Sequence, residues 1–294
     1  MKAVQFVTTI VTLMLSIAVS AAPAGWSPLL EPADLNRLLA ADANIRVIQV
    51  TGDYAAAHLP DSLNAPYARF RGPQSNPGEL PPLSQLTDVV QSLGINADTP
   101  VAIVHQGSNA VDMGASTRVY WTLKSLGVQD LAILNGGLAA WQAAGLPVTT
   151  DAVTVAASSF QPQWSDQWTV HTAEMETLVA NGSAKLIDGR PAAFFTGQQP
   201  ATGRAGTLPG AQNVSFDTLF SGTTMNTGSQ LQSALSLASA SDQDLTVTFC
   251  NTGHMGSINW FAMSELAGMD NVKLYPESMT EWAASPDRPM QAGQ

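Results

Sequence analysis

The chain has 294 residues, with 12 Lys and Arg against 23 Asp and Glu and a formal net charge of -11. A polyanion is held by stripes of Lys and Arg that displace its counterions, and the absence of any basic run argues against a nucleic-acid partner. With 45% hydrophobic and 12% charged residues the composition is that of a packed globular protein rather than a disordered one, and the length suggests two domains.

Residues 1–24 begin with Met1 and Lys2, run uncharged from 3 to 19, and end in Ser20, Ala21, Ala22, Pro23 and Ala24. A positive start, an apolar middle and small residues at the end form a signal-peptide pattern, with cleavage expected after Ala21. A retained membrane anchor is the other reading, but a spanning helix needs about 20 apolar residues and this stretch is broken by Gln5 and several Thr and Ser. The mature protein is therefore expected to be soluble and exported, without a membrane partner. The single cysteine, Cys250, cannot form an intramolecular disulfide, so the chain has no disulfide scaffold, which points to a bacterial periplasm. Four scattered histidines (His58, His105, His171, His254) lack metal-ligand spacing, and no metal or cofactor is expected. Asn181 and Asn213 begin short glycosylation patterns.

Apolar residues at helical spacing predict helices from Asp34, over 83–93 ending at Gly94, and over 231–238. Short strand candidates lie at 46–50, 100–105, 185–188 and 245–249. Thr172 is a plausible N-cap for the helix that opens the second half. These elements repeat. The strand at 46–50 matches 185–188, 100–105 matches 245–250, and a helix ending in Trp141 matches one ending in Trp282, 141 residues later. The spacing is that of a duplicated domain. Alternating strands and helices predict an α/β fold in which each half is a parallel sheet flanked by helices, with domains at 25–150 and 169–294 and a linker over 151–168 lying across the surface. Trp141 and Trp282 are expected in the core.

Cys250 follows a strand and opens a loop of Asn251, Thr252, Gly253, His254, Met255, Gly256 and Ser257 that leads into an apolar helix. In open α/β sheets ligands bind beyond the carboxyl ends of strands, where the next helix aims its free N–H groups. Such a position favours a thiolate nucleophile over a structural cysteine. A phosphatase cradle would need arginine at 256, where Gly256 stands, and His254 in the same loop suits a wall better than the base of a cysteine protease.

The chain resembles the tandem-domain rhodaneses, the sulfurtransferase family. The residues that carry the resemblance are Asp188, Gly189, Arg190 and Pro191, the run from Arg204 through Pro209 to Asn213, the Cys250 loop and the two Trp-ended helices. The resemblance implies two rhodanese-like domains. In the second, the cysteine takes a sulfur from a small-molecule donor as a persulfide and passes it to cyanide, another thiophilic acceptor or a protein thiol. The first half is expected to be inactive, because His105 stands at the cysteine position and Thr51 aligns with Arg190. Its loop after His105 is also too long for the same tight ring. Arg190 aligns with a family arginine that contacts anionic donors, although an ion pair with Asp188 is its other reading. Arg204 is a further candidate, weakened by Thr207 where the family usually has histidine.

The loop matches neither the basic pattern of thiosulfate users nor the Gly-Ser-Gly of 3-mercaptopyruvate users. A neutral His254 would add hydrogen bonding and a protonated one charge, replacing a basic residue in part and with pH dependence. Export favours thiosulfate as donor. A sulfur carrier with little turnover of its own, and a protein without chemistry, are the competing expectations.

Overall fold

The computed structural model describes residues 22–42, 44–200, 203–236 and 245–294. The expected signal peptide at 1–21 and the end of the helix expected over 231–238 lie outside the described residues.

The first half contains β1 (Leu29–Leu30), α1 (Pro32–Ala41), β2 (Arg46–Gln49), β3 (Leu63–Asn64), α2 (Leu83–Ser92), β4 (Val101–Val104), α3 (Met113–Ser125), β5 (Leu131–Leu134) and α4 (Gly137–Ala143). Its strands pair in parallel in the order β1-β5-β4-β2-β3. The second half contains α5 (Thr172–Asn181), β6 (Lys185–Asp188), α6 (Ala192–Phe195), β7 (Gln212–Asn213), an antiparallel ribbon of β8 (Phe220–Ser221) and β9 (Thr224–Met225), and α7 (Gly228–Leu235). It closes with β10 (Thr246–Phe249), α8 (His254–Phe261), β11 (Val272–Leu274) and α9 (Ser278–Trp282). Its parallel order, β11-β10-β6-β7, repeats β5-β4-β2-β3. A parallel bridge from Thr169 to Leu274 stands where β1 pairs with β5.

Parallel sheets are covered on both faces, so their central strands have no solvent-facing side. Val101–Val104 and Thr246–Phe249 are accordingly buried throughout. Gly94, at φ +65°, stops α2 as its sequence position indicates. The N-cap of α5 is His171, with Thr172 one residue inside the helix; the Thr172 hydroxyl is spent on Tyr275 Oη at 3.0 Å, so the expected Thr172 cap does not form.

Trp141 and Trp282 are buried in equivalent places, their Nε1–H groups donating to Pro147 O and Pro289 O. Residues 151–165 form an irregular strap along the first half. Ser158 Oγ donates to Ile95 O, Gln91 Nε2 donates to Phe160 O, and Trp164 packs edge-on against Trp121.

The halves are joined through α3 and α8. Every residue of α3 except Lys124 is buried, and one apolar cluster includes Val119 and Trp121 from the first half with Trp260 and Phe261 from the second. Thr117 Oγ1 and Ser257 Oγ meet at 2.8 Å, while Glu265 accepts hydrogen bonds from Tyr120 Oη and Lys124 Nζ, each at 2.8 Å.

Candidate active site

β10 lies between β11 and β6, and Cys250 follows its carboxyl end. The chain then turns through Gly253, at φ +68°, into α8, leaving Cys250 1% exposed. Two close approaches dictate the loop glycines. A Cβ at Gly253 would collide with Arg118 Nη1 and Pro276 O, and one at Gly256 would stand 2.9 Å from Phe249 Cα. No side chain at 256, arginine included, fits without moving α8 off β10.

The loop is bonded to α9. Met279 N–H donates to Cys250 O and Thr280 N–H to Asn251 O, just as Leu138 and Ala139 donate to His105 O and Gln106 O in the first half. This hydrogen-bond equivalence pairs Ser278 with Gly137, and both have positive φ, +55° and +63°. Serine tolerates that conformation because its Oγ accepts from Cys250 N–H and Gly253 N–H at 3.1 Å each and donates to Tyr275 O. Ser278 thus holds both ends of the cysteine turn.

Arg190 is 1% exposed. Its Nε and Nη2 donate to the Asp188 carboxylate, Nη2 also to Gly206 O, and Nη1 to Asn251 Oδ1 at 3.2 Å. Thr207 Oγ1 donates to the same carboxylate. Arg190 makes the ion pair with Asp188 that is its other reading, and it ties the Asp188 turn to the cysteine loop through Asn251. Arg204 donates from Nη1 to Ser285 O, beyond the end of α9, and has no described contact with the loop. Asn213 donates both to Asp188 O and to Arg190 O, so its amide serves this turn. Thr252 is half-buried, and Met255 packs on the shared core. Ser257 Oγ donates to His254 O and meets Thr117, within the interface between the halves.

His254 also faces the first half. Val111 O can only accept, so His254 Nε2 donates to it at 2.8 Å, and Nδ1 accepts from Tyr67 Oη at 3.0 Å. Burial, with the nearby Arg71 and Arg118 charges, pushes its pKa down to about 4. Of the two forms of His254, the neutral ring that adds hydrogen bonding and the protonated one that adds charge, the lowered pKa favours the first near neutral pH.

In the first half His105 is buried, its Nδ1 facing Ser116 Oγ, and burial lowers its pKa to about 4. The turn beside it is occupied by a side chain of its own. Asp112 accepts from Gly107 N–H and from Thr51 Oγ1, and Thr51 Oγ1 accepts from Gln106 N–H. The longer loop thus folds a carboxylate into the place where the second half keeps its cysteine turn.

Ser278, Tyr67, Arg71 and Arg118 are absent from the residues that the sequence picks out. The repeat that matches 136–141 with 277–282 sets Ser278 opposite Gly137, a polar residue at a glycine position, but a role at the site does not follow from that match alone. No signal along the chain marks the other three, which reach the site only through docking of the halves.

A family profile for the rhodanese-like domain matches residues 31–144 and again 171–285. The chain is 33% identical over 218 residues to a protein of Pseudomonas aeruginosa assigned as a 3-mercaptopyruvate sulfurtransferase, covering 73% of this chain and 75% of that one. It is 29% identical over 252 residues to a protein of Synechococcus elongatus assigned as a thiosulfate sulfurtransferase, covering 82% and 77%. The crystal structure of a 3-mercaptopyruvate sulfotransferase from Escherichia coli superposes with a TM-score of 0.75 at 22% identity, over 86% of this chain and 98% of that one. With two family matches on two equivalent parallel sheets, and a thiol at the carboxyl end of the central strand in one of them, the chain belongs to the rhodanese family as a tandem-domain sulfurtransferase.

Proposed function

We propose that Cys250 takes the outer sulfur of thiosulfate, carries it as a persulfide and releases it to cyanide or another thiophilic acceptor, a protein thiol included. The observation that supports this reading is the placement of the chain's one thiol at the end of β10, in a turn braced by Ser278 and by Arg190 through Asn251. The Cys250 thiolate attacks the outer sulfur, the donor S–S bond breaks, and its electron pair leaves on sulfite. Cyanide then attacks the persulfide's outer sulfur, thiocyanate forms, and the thiolate returns. Both steps balance without an outside oxidant or reductant. The signal-peptide pattern at 1–21 supports export to the periplasm, and that setting favours inorganic sulfur anions over a cytosolic keto acid.

The test is intact mass of the mature protein after thiosulfate and then after cyanide, with Cys250→Ser alongside. The expected result is one added sulfur on the wild type alone, removed by cyanide as thiocyanate. A higher kcat/KM for 3-mercaptopyruvate would overturn the choice of donor. Loading without multiple turnover would identify a sulfur carrier.

A further inference from the structure

We propose that the donor's anionic head is held from across the domain interface, by Arg71 and Arg118 of the first half facing Cys250 of the second. This deepens the sulfurtransferase reading and rests on it. Arg118, on α3, is 0% exposed; Nη2 donates to Gly78 O at 2.8 Å, Nη1 reaches Pro276 O at 3.4 Å, and the guanidinium lies 4.8 Å from the Trp121 ring. It also touches the cysteine turn, since a Cβ on Gly253 would collide with Nη1. Arg71 follows the 3-10 turn Tyr67–Phe70 and lies over the Tyr67 ring, whose hydroxyl donates to His254 at the start of α8.

Both arginines have unused donors. Arg118 Nε and Arg71 Nη1 are buried without a hydrogen-bond partner, and among the described residues no carboxylate stands in ion-pair contact with either. Burial lowers the Arg118 pKa to about 10; Arg71 repels it further, whereas Tyr67, Glu277 and Cys250 act in the opposite sense, so the guanidinium and the thiol share one field. Glu277 is the acid facing Arg118, and burial raises its own pKa. Burying a guanidinium without a contact ion pair is costly, and Arg118, buried against the cysteine turn, with the half-buried Arg71 over Tyr67 close by, in a chain of net charge -11, makes a site that an incoming anion stabilises. Planar guanidinium forks match the oxygens of a sulfonate or carboxylate. Arg190 and His254 leave this role open, the first being committed to Asp188 and Asn251 and the second uncharged. The ligand class is a small oxyanion bearing transferable sulfur. Thiosulfate carries two charges and 3-mercaptopyruvate one carboxylate, so the two-arginine site favours thiosulfate.

The experiment compares wild type, Arg71→Gln, Arg118→Gln and Arg118→Lys, each checked for a native unfolding transition. Sulfur loading is followed against thiosulfate and 3-mercaptopyruvate concentration, and alkylation of Cys250 by anionic iodoacetate is compared with that by neutral iodoacetamide. Loss of one charge-assisted hydrogen bond predicts a rise in KM of about tenfold or more for thiosulfate, with a smaller change in kcat and partial rescue by lysine at 118. The ratio of iodoacetate to iodoacetamide rates should fall in both Gln variants. If Arg118→Gln fails to fold, Arg71→Gln and Arg118→Lys carry the test. An unchanged KM and an unchanged alkylation ratio in the folded variants would overturn the proposal. Wild type that takes sulfur from no donor would instead overturn the sulfurtransferase reading, and the alkylation ratio would still decide the anion site.

Discussion

Replacing Ser278 by alanine and by glycine separates two effects that the wild type combines. At φ +55° a residue with a Cβ is strained by about 1–2 kcal/mol. The hydroxyl offsets this by accepting from two buried N–H groups, those of Cys250 and Gly253, at 3.1 Å each. Alanine keeps the strain and strands both donors, for an expected loss of about 2–4 kcal/mol. Glycine strands the same donors and releases the strain; after its chain-entropy cost of about 0.5–1 kcal/mol, it should lie roughly 0.5–1 kcal/mol above alanine. Urea unfolding of the mature variants at pH 7 should rank wild type above Ser278→Gly above Ser278→Ala. Single-turnover sulfur loading followed by mass should slow in both, because the turn that aims the thiol is loosened. Ser278→Ala as stable as wild type, or Ser278→Gly below Ser278→Ala, would refute the argument that a strained residue is held by the loop it caps.

His105 and His254 are both held at about 4 in the folded protein, below the ordinary 6.5. Between those values the unfolded chain binds more protons, so stability rises with pH through the window and is lost as pH falls through it. The melting temperature should drop from pH 7 to pH 5, and a flat profile would count against neutral rings at the buried His105 and the half-buried His254. Glu265→Ala removes the shared acceptor of Tyr120 and Lys124 between the halves, with an expected loss of about 2–4 kcal/mol in denaturant unfolding and partial recovery in Glu265→Gln. Gly256→Ala puts a Cβ 2.9 Å from the Phe249 backbone, so it should lose about 1–3 kcal/mol and load sulfur more slowly; native stability and rate would show that α8 can move freely.

The duplicated α/β plan and the position of the one thiol after a strand were legible along the chain because both are local. Buried parallel strands read as short apolar runs, and a strand, a glycine-bearing turn and a helix are contiguous around Cys250. His105 likewise marked the first half as lacking the thiol. What the neighbours of these residues do was decided only by tertiary structure. Arg190 is committed because Gly206 O and Asn251 Oδ1, 16 and 61 residues away, meet it over Asp188. His254 is uncharged because docking of the halves takes its ring out of water beside Arg71 and Arg118, which outweighs the opposing effect of the Val111 carbonyl. Arg118 reaches the cysteine turn because α3 packs on α8, a contact between helices more than a hundred residues apart. Local pattern determines which elements form and where a turn can place a thiol. Charge state, burial and the partners of long polar side chains depend on which distant surfaces exclude water together, and those are set when the two domains close on one another.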